Sequence, residues 1–560
     1  MLLRPICFKN NKFLKFSIIT RYNRNLATNT INRPITPKPK IKKSNLFRNV
    51  IITTGIITLS GGTIYVLDKE YNSSLITRSV RALYVLLWIA YEYGYNSKNY
   101  ADLNELHEIA SERLLQMLTL NKGLYIKLGQ AIANQGNLFP KAFQEKFPKL
   151  YDEAPFDSWD KMNKVLKKNL GENYENEYFE WIDHKPIASA SIAQVHKAKF
   201  NEKFGSKEIA LKIQHDYIDK QIVVDLLIYR LINKVYEKVF DVPLSMFSKY
   251  VSEQLIKETN FINEMENALK LQRFTDNDSA LKNLNIRIPE NYPELTTSQV
   301  LPAEWIDGIS LTDKNKLINH GFDLKQVMNQ YIILFGRQIF NYGFVHSDPH
   351  PGNLLVKFDS RGKQQLILLD HGLYITLDKK FKLQYCTLWK DLFILNRKGI
   401  EQIGKQWGIN STNIFATIIS LRPIKLDKSK NSDNDKSDVS DLLKDFIGDR
   451  SKFPMELPFL ARTMRMIQNI NQQFGSPVNR INLLTNQAIN GLSSGDSHLT
   501  WSNYFDIYKI KFSLLFSGLV FYFIRFKQWI GGSNSKNKGL EDYIEMYMQN
   551  TAKSLGLDWM

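Results

Sequence analysis

FVHSDPHPGNLLV, residues 344–356, sets two histidines, an aspartate and an asparagine between apolar flanks. Three readings compete for it. As a metal site it would use His346, Asp348 and His350, but Pro349 and Pro351 break any helix that could bring such ligands together, and no further ligand cluster follows. As an ordinary turn, its polar side chains would only satisfy loop backbone groups. As a phosphoryl-transfer loop, it offers Asp348 and Asn353 five positions apart, with Asp370 following seventeen residues later at the end of the apolar run QQLILLD. That reaction needs one carboxylate to orient or deprotonate the acceptor, and an amide oxygen with a second carboxylate to hold magnesium across the phosphates. The spacing supplies all three.

Further upstream, ALKIQ places Lys212 on a strand, where its ammonium could pair with phosphate oxygens, and Glu264 lies on the next helix, able to hold that lysine. Singly, each residue reads as a solvated face. The ordered set is what carries weight. Before Lys212, where a protein kinase has a glycine-rich nucleotide loop, this chain has ASASIAQVHKA, residues 188–198, without glycine. Ala188, Ser189, Ala190 and Ser191 are small enough for a close approach to nucleotide, but their Cβ atoms restrict positive φ, so the loop must hold phosphate differently. A small-residue turn packed closely on a neighbour remains the alternative.

The 560-residue chain is 43% hydrophobic, ample for a large core. Its net charge of +18 is concentrated at one end: residues 1–67 hold twelve Lys or Arg and no Asp or Glu, leaving +6 for the remainder. A nucleic-acid-binding face is therefore not expected. Residues 1–32 have the composition of a mitochondrial presequence, and 33–48 form a basic segment. Residues 49–67 are uncharged and about long enough to cross a bilayer. The positive-inside bias then leaves the basic segment in the matrix and the large domain facing the intermembrane space. Cys7 would leave with the presequence and Cys386 has no partner, so no disulfide framework is expected.

Residues 75–135 read as helices. Short alternating runs from about 181, WIDHKPIA, IAQVHKAKF and KEIALKIQ, read as an antiparallel meander. The segment 248–274 reads as one helix, and 323–343 as another. DKSKNSDNDKSDVSD, residues 427–441, reads as a disordered loop, and FSLLFSGLVFYFI, residues 512–524, is short for spanning and reads as a core or interfacial helix.

KLGQAIANQGNLFP, ASASIAQVHKA, ALKIQ, EWIDG, HSDPHPGNLL and LDHG, in this order over roughly residues 105–400, resemble the UbiB/ADCK atypical kinase-like family, the ABC1 or aarF-domain proteins. The resemblance implies an α+β, two-lobed protein-kinase-like fold: a helical extension over 75–160, an N-lobe over 178–310 and a C-lobe over 311–560. It also implies ATP and Mg2+ as cofactors, and a role in coenzyme Q or membrane-lipid homeostasis. Residue by residue, Lys127, Gly129 and Gln130 match the KxGQ motif, which the resemblance aims at the substrate pocket. Lys212 matches the phosphate-pairing lysine, Glu264 its helix partner, and Glu304 lies near the adenine-binding hinge. Asp348 resembles the catalytic aspartate, Asn353 and Asp370 the metal ligands. Two departures stand out. Glu258 is kept from an acidic ExD element, but Asn260 replaces its Asp, and Gln135 and Asn137 stand where many members carry Arg and Asp.

These readings lead to the expectation of a single-pass inner-mitochondrial-membrane protein that binds Mg-ATP and whose partners are membrane lipids, with coenzyme Q or its precursors among them. A lipid-coupled ATPase, a small-molecule or lipid kinase, and a non-catalytic nucleotide-binding scaffold are the three functions to distinguish.

Overall fold

The computed structural model describes residues 63–543 except 64, 70–73, 134–138, 153–155, 242, 411–447, 494–500 and 531–538, together with Met546. Residues 1–48, read above as a presequence and basic segment, residues 49–62 and 64 of the expected span, residues 427–441, and Gln135 and Asn137 lie outside the described residues. Among the described residues, no helix is long and apolar enough to cross a membrane.

Three helices come first: α1 (Leu75–Tyr91), α2 (Leu103–Asn121) and α3 (Leu124–Ala133). Asp102 starts α2 by accepting the Asn104 N–H at 2.9 Å, which satisfies one of the first-turn donors. Ala82, Val85, Ile89, Leu106, Leu118 and Ile126 share a core with Ile228 and Ile232 from a later helix, so the extension is docked rather than free-standing. A buried Arg78–Asp225 ion pair at 2.6 Å joins the same two regions.

Next, α4 (Trp159–Leu170) covers one face of a five-stranded sheet. Its strands β1 (Phe179–Ile182), β3 (Ala193–Phe200), β4 (Glu208–Gln214) and β6 (Val300–Glu304) run in the order β1-β3-β4-β6, with β2 (Ala188–Ser189) paired to β3. Because side chains alternate across a strand, Ile209, Leu211 and Ile213 are wholly buried against Met162, Val165 and Leu166. Lys212 must then point to the opposite face, flanked in register by Val195 and Leu301.

Between β4 and β6 run α5 (Ile218–Phe240), α6 (Ser245–Glu258) and α7 (Phe261–Asn277). Two expectations are corrected here. The segment 248–274 is not one helix: it breaks at Asn260, whose extended backbone and side chain cap α7 through the Ile262 N–H at 3.1 Å. Short polar side chains that bond their own backbone favour caps over helix interiors, so Asn260 divides the apolar pattern. Glu264 is also not on the next helix after Lys212, since α5 and α6 intervene. The break leaves Glu258 at the end of one helix and Glu264 in the first turn of the next.

The C-lobe is built around α8 (Leu324–Arg337), whose Val327, Tyr331, Leu334 and Phe335 belong to the largest core. Strand β8 (Phe344–His346) pairs with β11 (Tyr374–Thr376), and β9 (Leu354–Phe358) with β10 (Gln364–Leu368), which is flanked by β5 (Ile286–Arg287), while β7 (Ile309–Ser310) flanks β9. These pairings hold the residues after β8 and after β10 side by side. Helices α9 (Lys379–Phe393), α10 (Leu457–Gln473), α11 (Arg480–Ser493) and α12 (Trp501–Ile530) complete the lobe.

Candidate functional site

Lys212 enters the cleft from β4 and Glu264 meets it from α7, with Nζ 2.7 and 2.8 Å from the two carboxylate oxygens. Asp370 Oδ1 lies 3.5 Å from the same Nζ. Asp370 sits just after β10, where the Gly372 N–H donates to Oδ1 at 3.2 Å and Asn353 Nδ2 donates to Oδ2 at 3.1 Å. The sequence-derived residues Lys212, Glu264, Asn353 and Asp370 are thus gathered in one place.

Asp348 follows β8, and its backbone is fixed before its side chain acts. Its N–H donates to His346 Nδ1 at 3.0 Å, and Tyr331 OH donates to the Pro349 carbonyl at 3.0 Å. His346 and His350 serve the loop itself, since His350 Nδ1 accepts the Gly352 N–H at 3.1 Å. One ring nitrogen of each histidine therefore fixes backbone geometry, while the Asp348 side chain is left to face the cleft.

Lys127 reaches this loop from the extension. Its Nζ lies 2.6 Å from Glu258 Oε1 and 3.1 Å from Asp348 Oδ2. Gly129 allows the close approach: a Cβ there would collide with the side chains of Leu150 and Leu118. Gln130 donates to the Leu150 carbonyl at 3.0 Å, which also secures α3. Asn260, as the cap of α7, leaves Glu258 to meet Lys127.

The sequence reading missed Arg462. From α10 its Nη2 lies 2.9 Å from Asp348 Oδ1, so the two oxygens of Asp348 face different cations. A separation of 114 residues, on a helix with no motif around it, gave no signal for this pairing.

Burial works against every charge in the cleft; the partners outweigh it for Asp348, Asp370, Lys127 and Lys212, but not for Glu264. For Asp348, Arg462 and Lys127 outweigh burial and hold the carboxyl well below the usual range. Asp370 is likewise held low, by Lys212 and Lys127. Lys127 is kept protonated by Glu258 and Asp348, and Lys212 by Glu264 and Asp370. Burial pushes the Glu264 carboxyl up to about 7 against the pull of Lys212. His371 is pushed down to about 3 by burial and so stays neutral, with Nδ1 3.0 Å from Tyr374 OH.

Magnesium takes oxygen donors, commonly one or two from protein and the rest from phosphate and water. Asn353 and Asp370 fit that set: Asp370 is ionised, and a half-turn of the Asn353 amide would bring its oxygen beside the carboxylate. Among the described residues no group of three or more His, Cys, Asp or Glu is arranged to hold a metal.

The small-residue loop joins β2 to β3. Ala188 and Ser189 pair with β3, the Ala190 N–H donates to the Ala193 carbonyl at 2.7 Å, and Ser191 is buried. Glu304, at the end of β6, has its carboxylate held by Arg287 at 2.5 and 2.7 Å, so its side chain is committed within the N-lobe.

Comparison with known proteins places the chain in a family. Residues 149–404 match the ABC1 atypical kinase-like domain. An ABC1 family protein, lscO, from Purpureocillium lilacinum is 30% identical over 92% of this chain and 93% of its own length. An ABC1 family protein of Schizosaccharomyces pombe is 35% identical over 77% of this chain and 82% of its own. Among solved structures, the Rv3197–erythromycin complex from Mycobacterium tuberculosis is 20% identical, covers 70% of this chain and 99% of that one, and superposes with a TM-score of 0.46. The chain belongs to the ABC1 (AarF-domain) atypical kinase-like family.

Proposed function

We propose that this protein binds Mg-ATP in the cleft between its lobes and hydrolyses it in a reaction coupled to lipids of the mitochondrial inner membrane, acting in coenzyme Q and phospholipid homeostasis or distribution. The observation that carries the ATP reading is the meeting of Lys212, Glu264, Asn353 and Asp370 at one point, with Asp348 across from them. Lys212 supplies a positive charge for phosphate oxygens while Glu264 fixes its position. Asn353 and Asp370 are the residues that would hold magnesium, which when bound neutralises charge developing on the transferred phosphoryl group. Asp348, ionised and anchored at both oxygens, orients the attacking group.

Lys127 favours a small acceptor. It brings α3 against the catalytic loop, where a polypeptide substrate would have to lie, and water or a lipid head group needs far less room. The lipid and mitochondrial parts of the proposal rest on the family resemblance and on the composition of residues 1–67.

ATP turnover by the purified protein, with and without cardiolipin-containing liposomes, tests the reading. Turnover that rises with lipid and vanishes in Asp348→Asn and Asp370→Asn is the expected result. Labelled phosphate appearing in a lipid-extractable product would make the protein a lipid kinase. Nucleotide binding without turnover under any of these conditions would leave a scaffold.

A further inference from the structure

Helix α12 has two unlike faces. Its inner face lies on the C-lobe: Ile510 and Phe521 are buried, Asn479 Nδ2 donates to Ser517 Oγ at 3.2 Å, and Asn482 Nδ2 donates to the Leu514 carbonyl at 3.0 Å. Its outer face is apolar and exposed. Phe512 is 76% exposed, Leu515 and Phe516 64% each, Leu519 and Phe523 59% each, and Phe526 55%. Spacings of three and four residues put these six on one stripe, and at ~1.5 Å per residue the stripe runs for roughly 20 Å. Soluble proteins rarely leave so continuous an apolar surface to water.

We infer that this face is a docking surface for an anionic lipid bilayer, with α12 lying in the plane of the membrane. The charge pattern selects the occupant. Lys509 and Lys527 bracket the stripe, Lys511 and Arg525 are the other charged residues between them, and no Asp or Glu occurs in that span. Lys527 Nζ lies 5.0 Å from the Phe523 ring centroid, and Lys325, from the first turn of α8, lies 5.8 Å from that of Tyr522. Cations at the rim of aromatic side chains match the interfacial pattern, in which rings enter the acyl boundary and ammonium groups meet anionic head groups. A second copy of the chain fits worse. A two-fold contact along this stripe would set lysine against lysine, because the rim carries one sign of charge. Spanning is excluded for this face by the hydrogen bonds that hold the inner face to α11 and its approach.

The inference is independent of nucleotide chemistry, and so is its test. The full chain carrying Leu519→Cys in a Cys7→Ser background is labelled with an environment-sensitive fluorophore and reconstituted into liposomes of phosphatidylcholine with or without cardiolipin. Cys386 does not compete for the label, because it is buried and its thiol is pushed up to about 12 by that burial. Brominated acyl chains are expected to quench the probe several-fold more strongly in cardiolipin-containing liposomes than in neutral ones, and Lys509→Glu with Lys527→Glu should remove that difference. Quenching by aqueous iodide with no response to brominated lipid would overturn the inference by showing an open face. Protection from both quenchers would overturn it too, showing that protein covers the face, whether a second copy or another segment of this chain.

Discussion

The cleft contains two lysines in nearly matched settings. Lys212 pairs with Glu264 and Asp370, and Lys127 with Glu258 and Asp348. Both are half-buried, and each is kept charged by a glutamate from one of two consecutive helices and an aspartate from the C-lobe. They differ in what they join. Lys212 belongs to the N-lobe sheet, so its pairs with Glu264 and Asp370 join that lobe to the C-lobe. Lys127 comes from the extension, and its pair ties a separate helical layer onto Asp348, 221 residues away. The same chemistry therefore joins the two lobes in one cluster and docks the extension in the other, and on the proposed function the first would position nucleotide and the second would close the site.

The comparison breaks most sharply at the aspartates. Asp370→Asn should lower ATP turnover by roughly 10²- to 10³-fold, because it removes the carboxylate that serves both Lys212 and magnesium. Steady-state hydrolysis measures this, and a variant within about two-fold of wild type would remove Asp370 from the mechanism.

The lysines separate the two roles. Lys127→Met strands Glu258 and Asp348 with one fewer cation, and breaking a buried pair costs about 3–5 kcal/mol. Hydrogen exchange of α3, residues 124–133, should then accelerate by at least about 10²-fold. Lys212→Met should leave α3 protected while weakening nucleotide affinity by about ten-fold or more. Identical exchange profiles for the two variants would dissolve the distinction between them.

Gly129→Ala tests the packing beneath Lys127. The added methyl meets Leu118 and Leu150, and overpacking of this kind costs about 1–3 kcal/mol. The expected sign is a lower thermal midpoint, accompanied by faster exchange in α3 but not in β4.

The smallest effect is expected at Arg462. Its charge helps hold Asp348 deprotonated, so Asp348 should remain ionised between about pH 5 and 8, and its contribution should be lost only as pH falls through its lowered value. Arg462→Gln removes part of that depression, and the acid limb of the pH–rate profile should move upward by about one unit or less. An unchanged limb would reduce Arg462 to a structural contact.

Much of the cluster around Asp348 and Asp370 was legible because its spacing is local. Asp348, Asn353 and Asp370 fall within one short stretch, and the alternation of ALKIQ fixes which way Lys212 points. The register of the two C-lobe strand pairs then needs no long-range information beyond the turns that join them. Glu264 was found but misplaced by two helices, since apolar periodicity alone does not reveal that an asparagine will cap rather than continue a helix. Gly129 showed no reason for being glycine until Leu118 and Leu150 were seen against it. The run at 512–524 was legible as too short to span, but its division into a docked and an open face was not.

The sequence by itself determined the chemical inventory: a strand lysine, a loop aspartate and asparagine, a second aspartate, and a glutamate able to hold the lysine. Local preferences of backbone and side chain fix such elements within a few residues. Only the tertiary structure decided that Lys127 and Arg462 hold the two oxygens of Asp348, and that Glu258 and Glu264 face different lysines. Those pairings depend on how separate helices pack, and packing is settled by burial of apolar faces such as Ile126 against Ile228, which places the charges without any signal in the charged residues themselves.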